Sequence, residues 1–281
     1  MKSRYRRRKA VDVAARGLCL AATMLAIVPL VSVLFYVASA GLGGLSWDFF
    51  TQLPQPVGEA GGGMRNAIVG TLILVGLACS VGIPLGVMAG VYLAEFGATR
   101  FGQVVRFSAD VMSGVPSIAV GIFVYTLVVL TMGHFSALAG GIALGVLMLP
   151  TVTRTTEEFL RLVPTTLREA ALALGVPKWR VIVRVVLVTG ARGIMTGVML
   201  AVARAAGETA PLLFTALGSR LWTTSLDQPM GALSVQIYTY AVSPYDDWHR
   251  QASAAALVLV ALVLFLNIGA RLLFRARKGA R

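Results

Sequence analysis

The chain has 281 residues, of which 57% are hydrophobic and 13% charged, and its net charge is +13. A soluble domain carries about 25% charged residues, so this composition, with a mean hydropathy of +0.80, excludes a large soluble domain and indicates a polytopic helical membrane protein. The positive charge does not indicate nucleic acid, because the basic clusters lack the interleaved aromatics on which single strands stack.

A spanning helix takes about 20 mostly apolar residues. Six runs qualify: 17–40, 66–94, 108–132, 136–153, 190–214 and 252–273. The first follows a basic stretch from Lys2 to Lys9 and ends on Ala38-Ser39-Ala40, which resembles a signal-peptide cleavage site. Its apolar core exceeds the ~7–15 residues of a signal peptide, so it reads as an uncleaved anchor. In the second run Gly82-Ile-Pro84-Leu-Gly86, and in the third Pro116, read as helix breakers that flex or kink a span. The fourth run is short and ends near Pro150.

Basic residues alternate between loops. Lys2 to Lys9 and Arg16 precede the first span. Arg100 and Arg106 follow the second, and Arg154, Arg161, Arg168, Lys178, Arg180, Arg184 and Arg192 lie between the fourth and fifth. Arg271, Arg275, Arg277, Lys278 and Arg281 sit at the end of the sixth. The remaining loops hold only Arg65, Arg220 and Arg250. By the positive-inside rule both termini are cytoplasmic. The outer loops 41–65 and 215–251 carry Trp47, Phe49, Phe50, Trp222, Tyr238, Tyr240, Tyr245 and Trp248. These read either as interface anchors or as a docking surface for an external partner.

Chemistry-bearing motifs are sparse. Cys19 and Cys79 lie in apolar runs, and His134 and His249 stand alone. No cluster has metal-ligand spacing, no catalytic Ser/His/Asp or Cys/His set is visible, and the dipeptide Gly-Lys of an ATP-binding phosphate loop never occurs. Neither a metal nor an organic cofactor is expected, and the chain does not read as an enzyme.

Within the inner loop 154–192, Thr166 and Glu169 have the spacing of a capping box. Leu167, Ala170, Ala171 and Leu174 follow at helical spacing, Gly175 suits a left-handed helix end, and Pro177 prevents continuation. This two-turn helix either rests on lipid headgroups or fits a groove in another protein.

The stretch Arg204-Ala-Ala-Gly-Glu208-Thr209-Ala-Pro211 places two opposite charges in an apolar run. Each costs about 2.5–3.5 kcal/mol near a bilayer centre. Arg204 and Glu208 are four apart and so share a helix face; with a span beginning near Gly190, Arg204 lies ~21 Å along it, past the midplane toward the outer side. The pair either neutralises itself and fixes packing or forms part of an anion path. A guanidinium presents paired donors to two oxyanion oxygens, and Glu208 would temper the affinity so that the ion is released.

Glu169-Ala170-Ala171-x-x-x-Gly175 resembles the signature loop of permease subunits of bacterial ABC importers; the family's terminal proline is replaced here by Val188. Ser113-Gly-Val-Pro-Ser117, Leu149-Pro-Thr-Val-Thr-Arg154 and the stretch from Arg204 to Ala216 narrow the resemblance to the phosphate importer permeases, PstA type rather than PstC type, from about residue 45 onward. The resemblance implies an all-α integral membrane protein of six transmembrane helices, a type I ABC importer (MetI-like) permease with a cytoplasmic coupling helix. It implies Arg204, Glu208 and Thr209 on the substrate pathway, and Glu169, Ala170, Ala171 and Gly175 in coupling to an ATPase. The implied partners are a second, PstC-type permease subunit, two ATPase subunits, an extracytoplasmic phosphate-binding protein and membrane lipid, in a bacterial inner membrane. On this basis the chain divides into a basic segment 1–16, a first helix with its outer loop 17–65, a permease core 66–274 and a basic tail 275–281. A permease for sulfate or molybdate, or an ion-coupled secondary transporter, remains the alternative.

Overall fold

The computed structural model describes residues 2–56, 59 and 61–276; the tail residues Arg277, Lys278 and Arg281 lie outside them. The chain order is α1 (Lys2–Leu42), α2 (Trp47–Thr51), α3 (Arg65–Phe96), α4 (Arg100–Gly114), α5 (Ser117–Met132), α6 (Ala137–Arg161), α7 (Thr165–Ala173), α8 (Lys178–Gly207), α9 (Ala210–Thr215), α10 (Leu233–Ala241) and α11 (Asp246–Ala276). Helices α1, α3, α6, α8 and α11 are each long and apolar enough to cross a membrane, and α4 with α5 makes a sixth crossing as a bent pair.

The third span expected over 108–132 is therefore two helices meeting at 108°. Val115 takes an extended conformation (ψ 130), because the ring of the following proline disfavours the helical region for the residue before it. Prolines alone do not decide a break. Pro84 lies inside the unbroken α3 and Pro150 inside the unbroken α6, which runs to Arg161 rather than stopping near the proline.

The reason is packing. Helices α3 and α6 run parallel, and glycines bring their backbones together. A Cβ at Gly82 would lie 2.9 Å from the Gly145 carbonyl, and one at Gly86 would lie 2.7 Å from Val152 Cβ. Gly90 continues the seam against Thr156. Without a hydrophobic driving force between helices in lipid, close backbone approach of this kind supplies the dispersion energy. The Gly82–Gly86 segment is a seam, not a flexing point. Antiparallel α8 uses the same device, with Gly190 against Leu160 and Gly197 against Thr155 of α6. The central core of Leu74, Leu144, Met148, Val152, Leu160 and Val198 lies between these three helices.

A second core sits at the opposite end from α7. Phe49, Met64, Leu233, Tyr240 and Trp248 are buried together, and Tyr240 stacks on Trp248 at 4.3 Å. The outer-loop aromatics thus divide: Phe49 and Trp248 are core, whereas Trp47 is 80% exposed. At this end the first amides of α6 are satisfied from outside the helix. Ser136 Oγ accepts from Ala139 N–H, and Ala137 and Leu138 donate to the carbonyls of Gln228 and Leu226, as helix starts require.

Candidate functional site

Helix α8 ends at Gly207, not within the continuous 190–214 span expected. Glu208 leaves the helical region (φ −74, ψ 128) and the short α9 begins two residues later. The break is fastened by a reciprocal pair of hydrogen bonds: Ser234 Oγ donates to the Glu208 carbonyl at 2.9 Å and Thr209 Oγ1 donates to the Ser234 carbonyl at 3.3 Å. Ser234 belongs to α10. The kink is thereby held by a neighbour that satisfies the freed carbonyl, which is how irregular backbone survives at membrane depth.

Arg204 and Glu208 therefore do not share a helix face; the first lies in the last turn of α8 and the second just beyond it. A cation in a last turn is favoured by the helix dipole. Because α8 begins at Lys178, Arg204 sits ~39 Å along it at 1.5 Å per residue, at the end opposite α7. Arg204 Nε–H reaches Glu208 Oε1 at 3.4 Å, longer than the ~2.9 Å of a good N–H···O bond. The Arg204 side chain is 55% exposed and that of Glu208 19%. Among the described residues the two terminal nitrogens of Arg204 have no recorded partner. The contact is loose and leaves a guanidinium fork available on the surface of the subunit, while Thr209 serves the kink.

The second expected site, α7, begins at Thr165 after Pro164, two residues earlier than a Thr166 cap requires, and no capping box forms. The C-terminal expectation holds. Gly175 is left-handed (φ 76), its N–H donates to Leu172, and that of Val176 to Ala171, the paired bonds of a Schellman end. Leu167, Glu169, Ala170 and Leu174 are exposed, Leu174 by 83%, whereas Ala171 packs toward the core. Of the four residues expected in coupling, Glu169 and Ala170 thus face outward, Gly175 ends the helix and Ala171 faces in.

Sequence reasoning missed what holds this end together. Arg168 of α7 forms an ion pair with Glu95 of α3 and also donates to the Leu160 carbonyl of α6 at 2.7 Å. Nearby, Glu157, 2% exposed, takes Arg106 at 2.7 Å, Arg161 at 2.8 Å and Arg154 at 3.3 Å, and Arg154 turns to Asp110 at 2.5 Å. Such a buried carboxylate is tolerable only because it is multiply paired. The signal was present: Arg154, Glu157 and Arg161 fall at i, i+3, i+7, one helix face, as do Arg106 and Asp110 at i, i+4. Charge alternation between loops accounts for these basic residues without calling for carboxylate partners, so the network itself is not read from it.

Residues 82–278 match the family described as "Binding-protein-dependent transport system inner membrane component". The chain is 46% identical, over 99% of its length and 94% of the relative's, to the phosphate transport system permease protein PstA of Yersinia pestis. It is 47% identical, over 88% of its length and 87% of the relative's, to the PstA of Haemophilus influenzae. Among solved structures it is similar to the inward-facing MetNI methionine ABC transporter (TM-score 0.60, 19% identity, 76% of this chain and 93% of that one). It is also similar to a bacterial ABC transporter involved in import of the acidic polysaccharide alginate (TM-score 0.53, 14% identity, 90% and 95%). The bent α4–α5 pair, the kinked α8 and the exposed short α7 are thus features of a membrane subunit, and the chain belongs to the binding-protein-dependent transport system inner membrane component family.

Proposed function

We propose that this chain is the transmembrane permease subunit of an ATP-driven phosphate importer and forms half of the inorganic phosphate pathway. The observation that carries the substrate is similarity over essentially the whole chain to PstA permeases from several bacteria. The chain is a transport subunit, and ATP hydrolysis falls to a partner ATPase. A PstC-type permease completes the pore, two ATPase subunits lie on the cytoplasmic side, and a phosphate-binding protein delivers substrate from outside. The excess of basic residues at the α7 end supports a cytoplasmic side for that end and for both termini, with the core, 66–274, in a bacterial inner membrane.

Arg204 is the phosphate contact. Its half-exposed fork, loosely held at 3.4 Å by Glu208, is what a transient anion site needs: donors in place but not consumed. Thr209 holds the break that presents it. At the other end Glu169, Ala170 and Leu174 form the surface received by the ATPase, and Gly175 ends that surface. The test is phosphate uptake by a permease-deletion strain complemented with this chain, with sulfate and molybdate as competitors. Uptake that phosphate alone competes supports the reading; equal competition by sulfate overturns the substrate.

A further inference from the structure

The 108° bend at Val115 lays α4 across the direction of the spans. Its exposed face carries Phe101, Val104, Phe107 and Val111, the apolar stripe of a helix lying in a membrane interface. Beside this stripe, with Phe101 and Val104 in its lining, opens a groove of about 370 Å³. One wall is α4, with Val105, Ser108 and Met112; the others are Leu85 of α3, and Leu149 and Pro150 of α6. The lining is almost wholly apolar.

The polar rim has the opposite character. Lining residues Val105 and Ala109 are followed in sequence by Arg106 and Asp110, and Thr153 by Arg154; outside the lining itself, the Arg154–Asp110 ion pair ties α4 to α6. In the cluster around Glu157 three guanidiniums, Arg106, Arg154 and Arg161, meet two carboxylates, Glu157 and Asp110. Arg100 adds a further exposed cation at the start of α4. The rim is therefore net positive, and each guanidinium carries five donors, more than the carboxylates here take up.

We propose that this groove binds an anionic phospholipid of the leaflet in which α4 lies, with an acyl chain between α4, α3 and α6 and the headgroup phosphate on the Arg106–Arg154 rim. An apolar slot topped by excess guanidinium matches both halves of such a molecule, and neither half matches a free inorganic anion or a zwitterionic lipid as well. The bound lipid fills the space behind α4 and holds that helix against α6.

The test uses the assembled importer in nanodiscs and two photoactivatable probes with the reactive group on the acyl chain, one a phosphatidylglycerol and one a phosphatidylcholine. Labelled peptides are mapped by mass spectrometry. The expected result is labelling at Leu85, Val105 or Met112 by the phosphatidylglycerol probe, displaced by unlabelled phosphatidylglycerol and not by inorganic phosphate. Ser108→Trp, a substitution at an exposed position of the groove wall, abolishes it. Equal labelling by both probes means ordinary boundary lipid and overturns the proposal, as does displacement by inorganic phosphate. Absence of groove labelling, with crosslinks from Met112 to a second permease subunit instead, overturns it in favour of a protein occupant. Should Ser108→Trp fail to assemble, the comparison of the two probes on the unaltered complex decides alone.

Discussion

Arg168 of α7 and Glu95 of α3 form an ion pair in which the side chains are only 20% and 8% exposed, and the same guanidinium holds the Leu160 carbonyl of α6. The short helix proposed to meet the ATPase is thus bolted to two membrane helices that are themselves joined along a glycine seam. A displacement of α7 is a displacement of α3 and α6.

Arg168→Ala should uncouple and destabilise. Removing one partner of a buried pair costs about 3–5 kcal/mol, because the other charge is stranded, and the partial exposure of Arg168 places the loss at the lower end. The exchanged double variant, Arg168→Glu with Glu95→Arg, should recover part of the thermal stability of the purified complex. It cannot restore the bond to the Leu160 carbonyl, so phosphate moved per ATP should stay below the unaltered value. Full recovery of that ratio would show that the carbonyl bond is idle.

Gly175→Val should strain the end of α7. A left-handed conformation costs a residue with a Cβ roughly 1–2 kcal/mol, and nothing lies within 4 Å of the added atom, so the effect is conformational and not a clash. The expected outcome is a complex that assembles in reduced amount and shows weaker crosslinking from Leu174 to the ATPase. Undiminished crosslinking would mean that the Schellman end does not set the presented surface.

For the charged break, Arg204→Ala should abolish phosphate uptake while assembly persists, since the side chain is half exposed and only loosely paired. Arg204→Lys should also be strongly impaired, because an ammonium does not reproduce the planar fork. Glu208→Gln should retain binding and slow release. Uptake by the exchanged variant, Arg204→Glu with Glu208→Arg, normalised to assembled complex, is the deciding measurement: recovery there would reduce the pair to a structural ion pair.

Along the seam, Gly86→Val places new atoms 2.7 Å from Val152 Cβ. Overpacking of this kind costs about 1–3 kcal/mol, and in a rigid parallel pair it should lower the melting temperature. The compensating change Val152→Ala should restore a good part of it; no restoration would place the clash elsewhere.

At the outer end His134 Nε2 meets Asp227 Oδ1 at 3.0 Å and Nδ1 faces the Met132 carbonyl. The bond to Asp227 first, then the carbonyl, hold the imidazole pKa above its ordinary 6.5. A folded-state pKa that is raised stabilises the fold fully below the unfolded value and loses that contribution as pH rises through the folded one. Protection of the Ala137 and Leu138 amides, which donate to the loop carrying Asp227, should exceed that in Asp227→Asn at about pH 6 and match it well above the shifted pKa. A difference independent of pH, read by hydrogen exchange corrected for intrinsic rates, would exclude the histidine as its source.

The apolar runs located six crossings, with the end of α1, the start of α3, the end of α5 and the start of α6 within two residues, because twenty consecutive apolar residues have few alternatives. Several other ends were illegible. Helix α8 begins at Lys178 and α6 continues to Arg161, since a helix leaving the bilayer need not stop where its hydropathy does. Pro84, Pro116 and Pro150 look alike as letters, yet only Pro116 breaks a helix; the other two are braced by backbones that glycines allow to come close. Glu208 was legible as a charge in an apolar run and not as a kink, because the bond that holds the kink comes from Ser234, far along the chain. Glu95 and Glu157 were passed over because a carboxylate in a basic loop reads as solvated until tertiary packing encloses it.

Helix α1 packs mainly against α11, with Gly41 against Leu257 and Gly44 against Ala254. Two helices far apart along the chain are thus neighbours in space. At ~5–20 residues per second of synthesis, the roughly 200 residues between them impose a wait of ~10–40 s, during which α1 stands in lipid as a solitary tether. Closure of α1 on α11 then waits for the synthesis of α11, and chains stalled before Asp246 should remain inserted with α1 unpaired, read as lipid crosslinks from position 41 that are lost in the full chain.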